Sequence, residues 1–354
     1  MNRSPSDRVA VALIGAGFIA DYHVGGLGAA GGAVIAALVG RRREAAEARA
    51  AALGIGRVET DYRAVLADAS IDAVIIASPD NTHERIAIDA LAAGKAVLLQ
   101  KPMALDSTQC RTILAAAAQA SAPLSVSFMH RYFPEVTWLR DLIASGRLGA
   151  VHSLRLRNAT PGADWADWFF RPGEVSGGVV MQLGVHGIDL CRHLFGEICD
   201  VEARAATARP ARRLADGRMV RTAFEDTVAA TYGLASGAMA SHEMSYTERA
   251  GCDRFRLELY TDAGTVWLRT ERGQAAIFAP EVTGESAWAA PPLIDMPLGQ
   301  AHHRHWLDVV RGIAPGDGTA EAGLRSVEIA EAIYQAARTG QRVATTNSER
   351  VNPT

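Results

Sequence analysis

The 354-residue chain has little cysteine, few aromatics, no long apolar run and almost no net charge. Its four cysteines, Cys110, Cys191, Cys199 and Cys252, form no CxxC pair and no zinc-type spacing, which argues against a disulfide framework or a zinc site. They read as reduced thiols of a cytoplasmic protein. No apolar run reaches the roughly 20 residues that a membrane span needs, and the start, MNRSPSDR, lacks a basic segment followed by an apolar one. A formal net charge of −3 argues against nucleic acid as a partner, because phosphate binding needs a clustered cationic face. With 49% hydrophobic and 21% charged residues the composition is that of an ordinary globular protein, and the length allows two domains.

What is present begins with Val9 to His23, VAVALIGAGFIADYH. A short apolar run ends in Gly15-Ala16-Gly17-Phe18-Ile19-Ala20 and continues as a helix-compatible segment, the pattern of a first strand, tight turn and first helix in a dinucleotide-binding unit. Gly15 lets the chain reverse, Gly17 lets the backbone approach a pyrophosphate, and Ala20 keeps helix and strand close. Phe18 and Ile19 lead into the helix whose first N–H groups would face the phosphates. Ala33–Val39 reads as a second strand and Arg41–Leu53 as a helix. An NAD-specific site usually has an acidic residue at the tip of this second strand; here stand Gly40, Arg41, Arg42 and Arg43. Guanidinium groups there suit a 2′-phosphate, so NADP(H) is favoured over NAD(H). The alternative is that the arginines are the solvated start of the helix.

Ala73–Ala77 is a continuous apolar strand running into Ser78-Pro79-Asp80-Asn81-Thr82-His83, a polar turn at a strand's carboxyl end, where open α/β sheets bind ligands. A helix over His83–Ala93 leads to the strand Lys95–Gln100, which ends in Gln100-Lys101-Pro102. By itself Lys101 reads equally as a capped surface lysine or as a desolvated one suited to proton chemistry.

The order of motifs resembles the Gfo/Idh/MocA family of oxidoreductases. The resemblance is carried by GAGFIADYH at 15–23, SPDNTH at 78–83, QKP at 100–102, HRYFPEV at 130–136, SGRLG at 145–149, GGVVMQLGVHGID at 177–189 and AEAIYQAARTGQRV at 330–343. It implies an α/β protein: a Rossmann-type parallel-sheet domain, assigned to residues 1–128, then an α+β domain with a large, mainly antiparallel sheet, assigned to 129–354, whose final helices pack back on the first. It also implies interconversion of a secondary alcohol and a ketone on a sugar or polyol with a nicotinamide cofactor. By position, Gly15, Gly17, Ser78, Asn81 and His83 match cofactor-contact residues, with Phe18, Ile19, Arg41, Arg42 and Gln100 beside them. Lys101 matches the catalytic lysine and His186 the catalytic histidine. Two residues depart from the family pattern: Gln100 stands where it has glutamate, and Gln182 where it has aspartate. Each amide can donate and accept hydrogen bonds but cannot take a proton, so proton transfer rests on Lys101 and His186, with Asp189 nearby. Other readings stay open: a dihydrodiol or other non-sugar alcohol dehydrogenase, which the apolar Trp/Phe loop would also suit; a lyase or hydrolase with retained nicotinamide; or, given the two lost carboxylates, a non-enzymatic nicotinamide sensor.

From Val151 the texture changes to alternation. Val151–Asn158, Asp200–Ala208, Asp226–Leu234, Ala238–Tyr246 and Arg254–Thr261 read as strands of one antiparallel sheet, whose uncovered face suits a homodimer or homotetramer. Gly177–Phe195 reads as loop then helix, with Gln182, His186, Asp189 and His193 on one face. Trp165, Trp168 and Arg171, in DWADWFFRPGE, are candidates to bind a carbohydrate, against the alternative of an ordinary packed loop. The spacing of His302, His303 and His305 does not set three ligands on one helical face, so no metal site is expected.

Overall fold

The computed structural model describes residues 8–164, 166–250, 254–269 and 274–345. The chain divides into two compact units, Met1–Tyr132 with Met296–Arg325, and Phe133–Asp295 with Ser326–Thr354. In the first unit, β1 (Val9–Ile14), α1 (Ala20–Ala30), β2 (Ala33–Val39), α2 (Arg43–Leu53), β3 (Val58–Glu59) and α3 (Tyr62–Leu66) are followed by β4 (Ala73–Ile76), α4 (His83–Ala92), β5 (Ala96–Leu99), α5 (Ser107–Gln119) and β6 (Leu124–Val126). The six strands form one parallel sheet in the order β3-β2-β1-β4-β5-β6. Every residue of β4 and β5 is buried, as expected of parallel strands covered on both faces. Because the chain goes outward to β3 and then starts again at β4, the first turns after β1 and β4 diverge at one point, where such sheets open a crevice.

The second unit contains α6 (Pro134–Ala144), β7 (Val151–Ala159), α7 (Val185–Phe195), β8 (Ile198–Ala206), β9 (Ala211–Arg213), β10 (Met219–Arg221), β11 (Thr227–Leu234), β12 (Met239–Ser245), β13 (Phe255–Thr261), β14 (Thr265–Arg269), β15 (Gln274–Phe278) and α8 (Pro280–Thr283). After α9 (Gln300–Val310), which belongs to the first unit, α10 (Thr319–Thr339) and β16 (Val343–Ala344) end the described chain. Eight strands make one mixed sheet, β15-β14-β13-β7-β12-β11-β8-β16, antiparallel throughout except where β12 meets β7. Alternation is strict where it matters: Val228, Ala230 and Tyr232 of β11 and Ala240, His242 and Met244 of β12 are buried, while Thr227, Ala229, Thr231, Ser241 and Glu243 between them are exposed. The five alternating runs are β7, β8, β11, β12 and β13, within two residues at each end. β9 and β10 form a separate hairpin outside the sheet.

The core of the first unit joins Val9, Val11 and Leu13 of β1, Leu27 of α1, Leu38, Ile75 and Leu98 to Trp306 and Leu307 of α9. Each such side chain, fully buried, contributes about 1.5–3 kcal/mol. Among the described residues no helix is long and apolar enough to cross a membrane.

Candidate active site

Four adjacent strands of the first unit end level with one another: Ile14 is in register with Val39 and with Ile76, and Ile76 with Leu99. The residues that follow each end therefore share one edge. They are Gly15, then Gly40 and Arg41, then Ala77 and Ser78, then Gln100 and Lys101. Gly15 has φ +121°, and a Cβ there would stand 2.3 Å from the Ala77 carbonyl oxygen, so only glycine lets the first turn lie against the end of β4. Apart from its own chain neighbours, no atom lies within 4 Å of where a Cβ of Gly17 would stand. That bare backbone, at the head of an α1 whose first residue position carries no side-chain cap, is a cradle that fits a dinucleotide's pyrophosphate. Phe18 projects beside it, 57% exposed, and Ile19 is half-buried.

Arg43 pairs with Glu47, and Arg49 donates to Asp21 at 2.5 Å and to the Gly17 carbonyl at 3.5 Å. Arg41 and Arg42 are exposed at the β2 tip and pair with no carboxylate among the described residues. Arg49 was not singled out from the sequence. Its signal was its place two helical turns after Arg42, on the face of α2 that meets the glycine turn.

Ser78 is hydrogen-bonded to Thr82 at 2.6 Å, and Asn81 is exposed at the turn. His83 is buried, with Nδ1 3.0 Å from the Pro102 carbonyl oxygen and Nε2 2.9 Å from that of Ser78. Its ring thus ties the turn after β4 to the turn that carries Lys101. The chain has only two lysines, and the other, Lys95, is buried with its ammonium donating to the carbonyls of Asp68 and Ile71.

In the second unit a π-helical turn, Val180–Gly184, runs directly into α7 and holds Gln182, His186 and Asp189, all buried. Such turns are rare and frequent at functional sites. Gln182 Nε2 lies 3.5 Å from Ser176 Oγ. His193 is only half-buried. The helix can lie close to the sheet because it is built from glycines there: a Cβ on Gly184 would stand 2.3 Å from Met244 Sδ, and one on Gly187 2.2 Å from Asn158 Oδ1. Beneath Gly187, His242 bridges Tyr232 and Asn158 at 2.8 Å each, and burial pushes its pKa down to about 3. Glu225, which sequence reading did not find, accepts from the N–H groups of Gly178 and Val180 at 3.3 and 3.0 Å and from the Tyr334 hydroxyl at 2.9 Å. Burial raises its pKa, and these bonds oppose the rise. A carboxylate at the head of this helix favours the helix dipole.

Trp165 lies outside the described residues. Trp168 is half-buried in a short helical turn, Asp167–Phe170, whose Phe170 packs with Ala163 and Leu214. The Arg171 guanidinium is engaged with Asp167 at 2.6 Å and Glu174 at 3.0 Å, which leaves it a brace of this loop. The hairpin β9–β10 backs the loop and is itself pinned by a buried ion pair: Arg212 donates to Asp226 at 2.9 Å and to the carbonyls of Pro161 and Tyr246. His302 and His303 are buried against α1 within the first unit.

Residues 9–128 match the model of the oxidoreductase family with an NAD-binding Rossmann fold, and residues 136–267 match the GFO/IDH/MocA C-terminal domain. The chain is 31% identical over 283 residues to an inositol 2-dehydrogenase of Rhizobium meliloti, covering 80% of this chain and 81% of that one. It is 27% identical over 337 residues to a 1,5-anhydro-D-fructose reductase of Ensifer adhaerens, covering 93% and 96%. Levoglucosan dehydrogenase in complex with NADH and levoglucosan has the same fold, with a TM-score of 0.87 at 21% identity over 96% of this chain and 100% of that one. The chain belongs to the Gfo/Idh/MocA family of nicotinamide-binding oxidoreductases.

Proposed function

We propose that the protein interconverts a secondary alcohol and a ketone on a sugar or cyclic polyol and prefers NADP(H) to NAD(H). The observation that carries this reading is the level edge of four strand ends, which presents the glycine cradle, two uncommitted arginines and Lys101 in one row. When bound, the dinucleotide supplies the hydride donor or acceptor. Lys101 is the group that polarises the reacting oxygen and stabilises its developing negative charge. His186 takes the hydroxyl proton in oxidation and returns it in reduction. Gln182 and Asp189, buried on the same stretch, hold the substrate hydroxyls. The substrate names of the relatives, an inositol and an anhydro sugar, agree with a ring carrying several hydroxyls.

Arg41 and Arg42 receive the 2′-phosphate in this reading. A hydrogen bond to a charged group contributes about 1.5–3 kcal/mol, so Arg41→Ala weakens NADPH roughly ten- to a hundredfold and leaves NADH unchanged. Titration of the purified protein with each nucleotide, followed by nicotinamide fluorescence, tests this; equal or tighter NADH binding refutes the NADP preference. A panel of inositols and sugars, followed by nicotinamide absorbance, tests the substrate class. The outer face of the second unit's sheet carries exposed Arg155, Glu202, Arg204 and Glu243, charges of both signs that suit pairing with a second copy. The free thiols Cys110, Cys191 and Cys199 support a reducing compartment such as the cytoplasm.

A further inference from the structure

Gln100, one of the two departures from the family's carboxylates, is buried at the end of β5, and its Nε2 lies 2.6 Å from His23 Nε2 and 3.0 Å from Ser127 Oγ. His23 Nδ1 lies 2.9 Å from His303 Nε2, and His303 Nδ1 2.7 Å from the Gly299 carbonyl oxygen. Both rings are fully buried and stand edge to face, 5.1 Å apart. The contact is built in: a Cβ on Gly26 would stand 2.2 Å from His303 Nδ1, so α1 accepts that ring only because residue 26 has none.

The direction of the chain follows from its far end. A carbonyl oxygen only accepts, so His303 carries its proton on Nδ1 and, when neutral, accepts at Nε2. His23 must then donate from Nδ1 and accept at Nε2, and whatever stands at position 100 must donate. A carboxamide does; a carboxylate cannot. With an ionised carboxylate at 100, the two imidazoles satisfy both ends only by taking up a proton.

We propose that Gln100 is a positioning residue for Lys101: its carboxamide starts a one-way, uncharged run of hydrogen bonds through His23 and His303 to Gly299 that ties the end of β5 to α1 and α9. The link to Lys101 rests on the function proposed above; the tautomers do not. Burial, and for His23 the neighbouring His303, keeps both rings neutral in the physiological range. The groups facing the pair agree with neutrality. His302, hydrogen-bonded to Tyr22 at 2.9 Å, is also held neutral by burial, and Tyr132 lies tilted between His302 and His305. The nearby carboxylate, Asp317, is occupied by Tyr132 and Thr319.

The test is nitrogen-15 NMR of the histidine rings in the full-length protein, assigned with His23→Asn and His303→Gln. The expected result is a proton on Nδ1 of both rings and no titration through the neutral range. Gln100→Glu should make one ring an imidazolium at neutral pH, and the substrate-free protein should take up about one proton. Turnover of that variant should fall about tenfold as the proton is lost on raising pH, at little change in nucleotide KM. Gln100→Glu with His303→Gln restores a donor facing His23 and should return the neutral ring and the flat pH profile. A proton on Nε2 of either ring in the unaltered protein overturns the proposal, even if Gln100→Glu does not fold. So does a Gln100→Glu protein with both rings neutral. Expected tautomers together with full activity of Lys101→Ala would instead refute the role of Lys101.

Discussion

The buried pair Arg212–Asp226 offers the sharpest test of how the second unit holds its aromatic loop. Both side chains are nearly sealed from solvent, at 6% and 3% exposure. Asp226 also accepts from the N–H groups of Ala208 at 2.7 Å and Arg209 at 2.8 Å, but those residues are exposed and water can replace the carboxylate there. What water cannot replace is the counter-charge. Burial already pushes the Arg212 pKa below its usual value, the mark of a cation held at a cost that Asp226 offsets. Removing one member of such a pair destabilises by about 3–5 kcal/mol, while replacing both by apolar residues of similar volume recovers most of it. Asp226→Ala is therefore expected to lower the urea-unfolding free energy by about 3–5 kcal/mol. Arg212→Met with Asp226→Leu should sit closer to the unaltered protein than Asp226→Ala does. Loss of the pair also frees Arg212 from Pro161 and Tyr246, so the loop around Trp168 should become protease-sensitive before global unfolding. An Asp226→Ala protein within about 1 kcal/mol of the parent, or a double variant no better than the single, refutes the reasoning.

Other outcomes follow from the same packing. Gly15→Ala forces a Cβ to 2.3 Å from the Ala77 oxygen at a φ that side chains rarely adopt, and should abolish nucleotide binding while costing about 1–3 kcal/mol in denaturant titration. Gly187→Ala drives a methyl into Asn158 and His242 and should cost about 1–3 kcal/mol, with kcat falling more than nucleotide affinity because His186 is displaced. His186→Ala should reduce turnover roughly 10²–10⁴-fold and leave nucleotide titrations unchanged. His242 and His303, with folded pKa values near 3 and 4, are depressed below the unfolded value, so the stability they contribute is present above about pH 6.5 and is lost as pH falls toward those values. Urea midpoints measured from neutral to acid pH should fall accordingly, and His242→Gln should flatten the fall. An acid limb unchanged by that substitution would assign the loss elsewhere.

How much of this was legible in the sequence depended on the range of the interaction. β1 and β2 appear with the bounds that their apolar runs give, because parallel strands read as unbroken apolar runs. The glycine turn and QKP turn were legible for the same reason: each follows such a strand. The hairpin β9–β10 was not, since ARR and MVR are too short to show a period, and the contacts that hold them, Arg212 on Asp226 and Val220 with Leu214 by Phe170, come from residues distant in sequence. The π-helical turn was invisible because nothing in VMQLG differs from ordinary helix; Met244 and Glu225, far along the chain, select it. Arg171 read equally as a ligand for substrate or as part of a packed loop, because its neighbours' charges, Asp167 and Glu174, lie at helical spacings whose use only the folded loop decides. Gln100 read as a loss, and its partners His23 and His303 become visible only when α1, α9 and β5 are placed together.

The position of α9 bears on how this protein is made. Trp306 and Leu307 complete the hydrophobic core that Val9, Val11 and Leu13 begin, so the first unit is closed by a helix that leaves the ribosome only after Phe133–Asp295. Synthesis runs from the amino terminus, and domains ordinarily fold as they emerge. Here the nascent sheet must wait, with the inner side of α1 at Gly26 and Leu27 uncovered, until the Phe133–Asp295 part of the second unit has been translated. A ribosome-bound chain halted before Gln300 should accordingly recruit holding chaperones, and one released past Val310 should shed them.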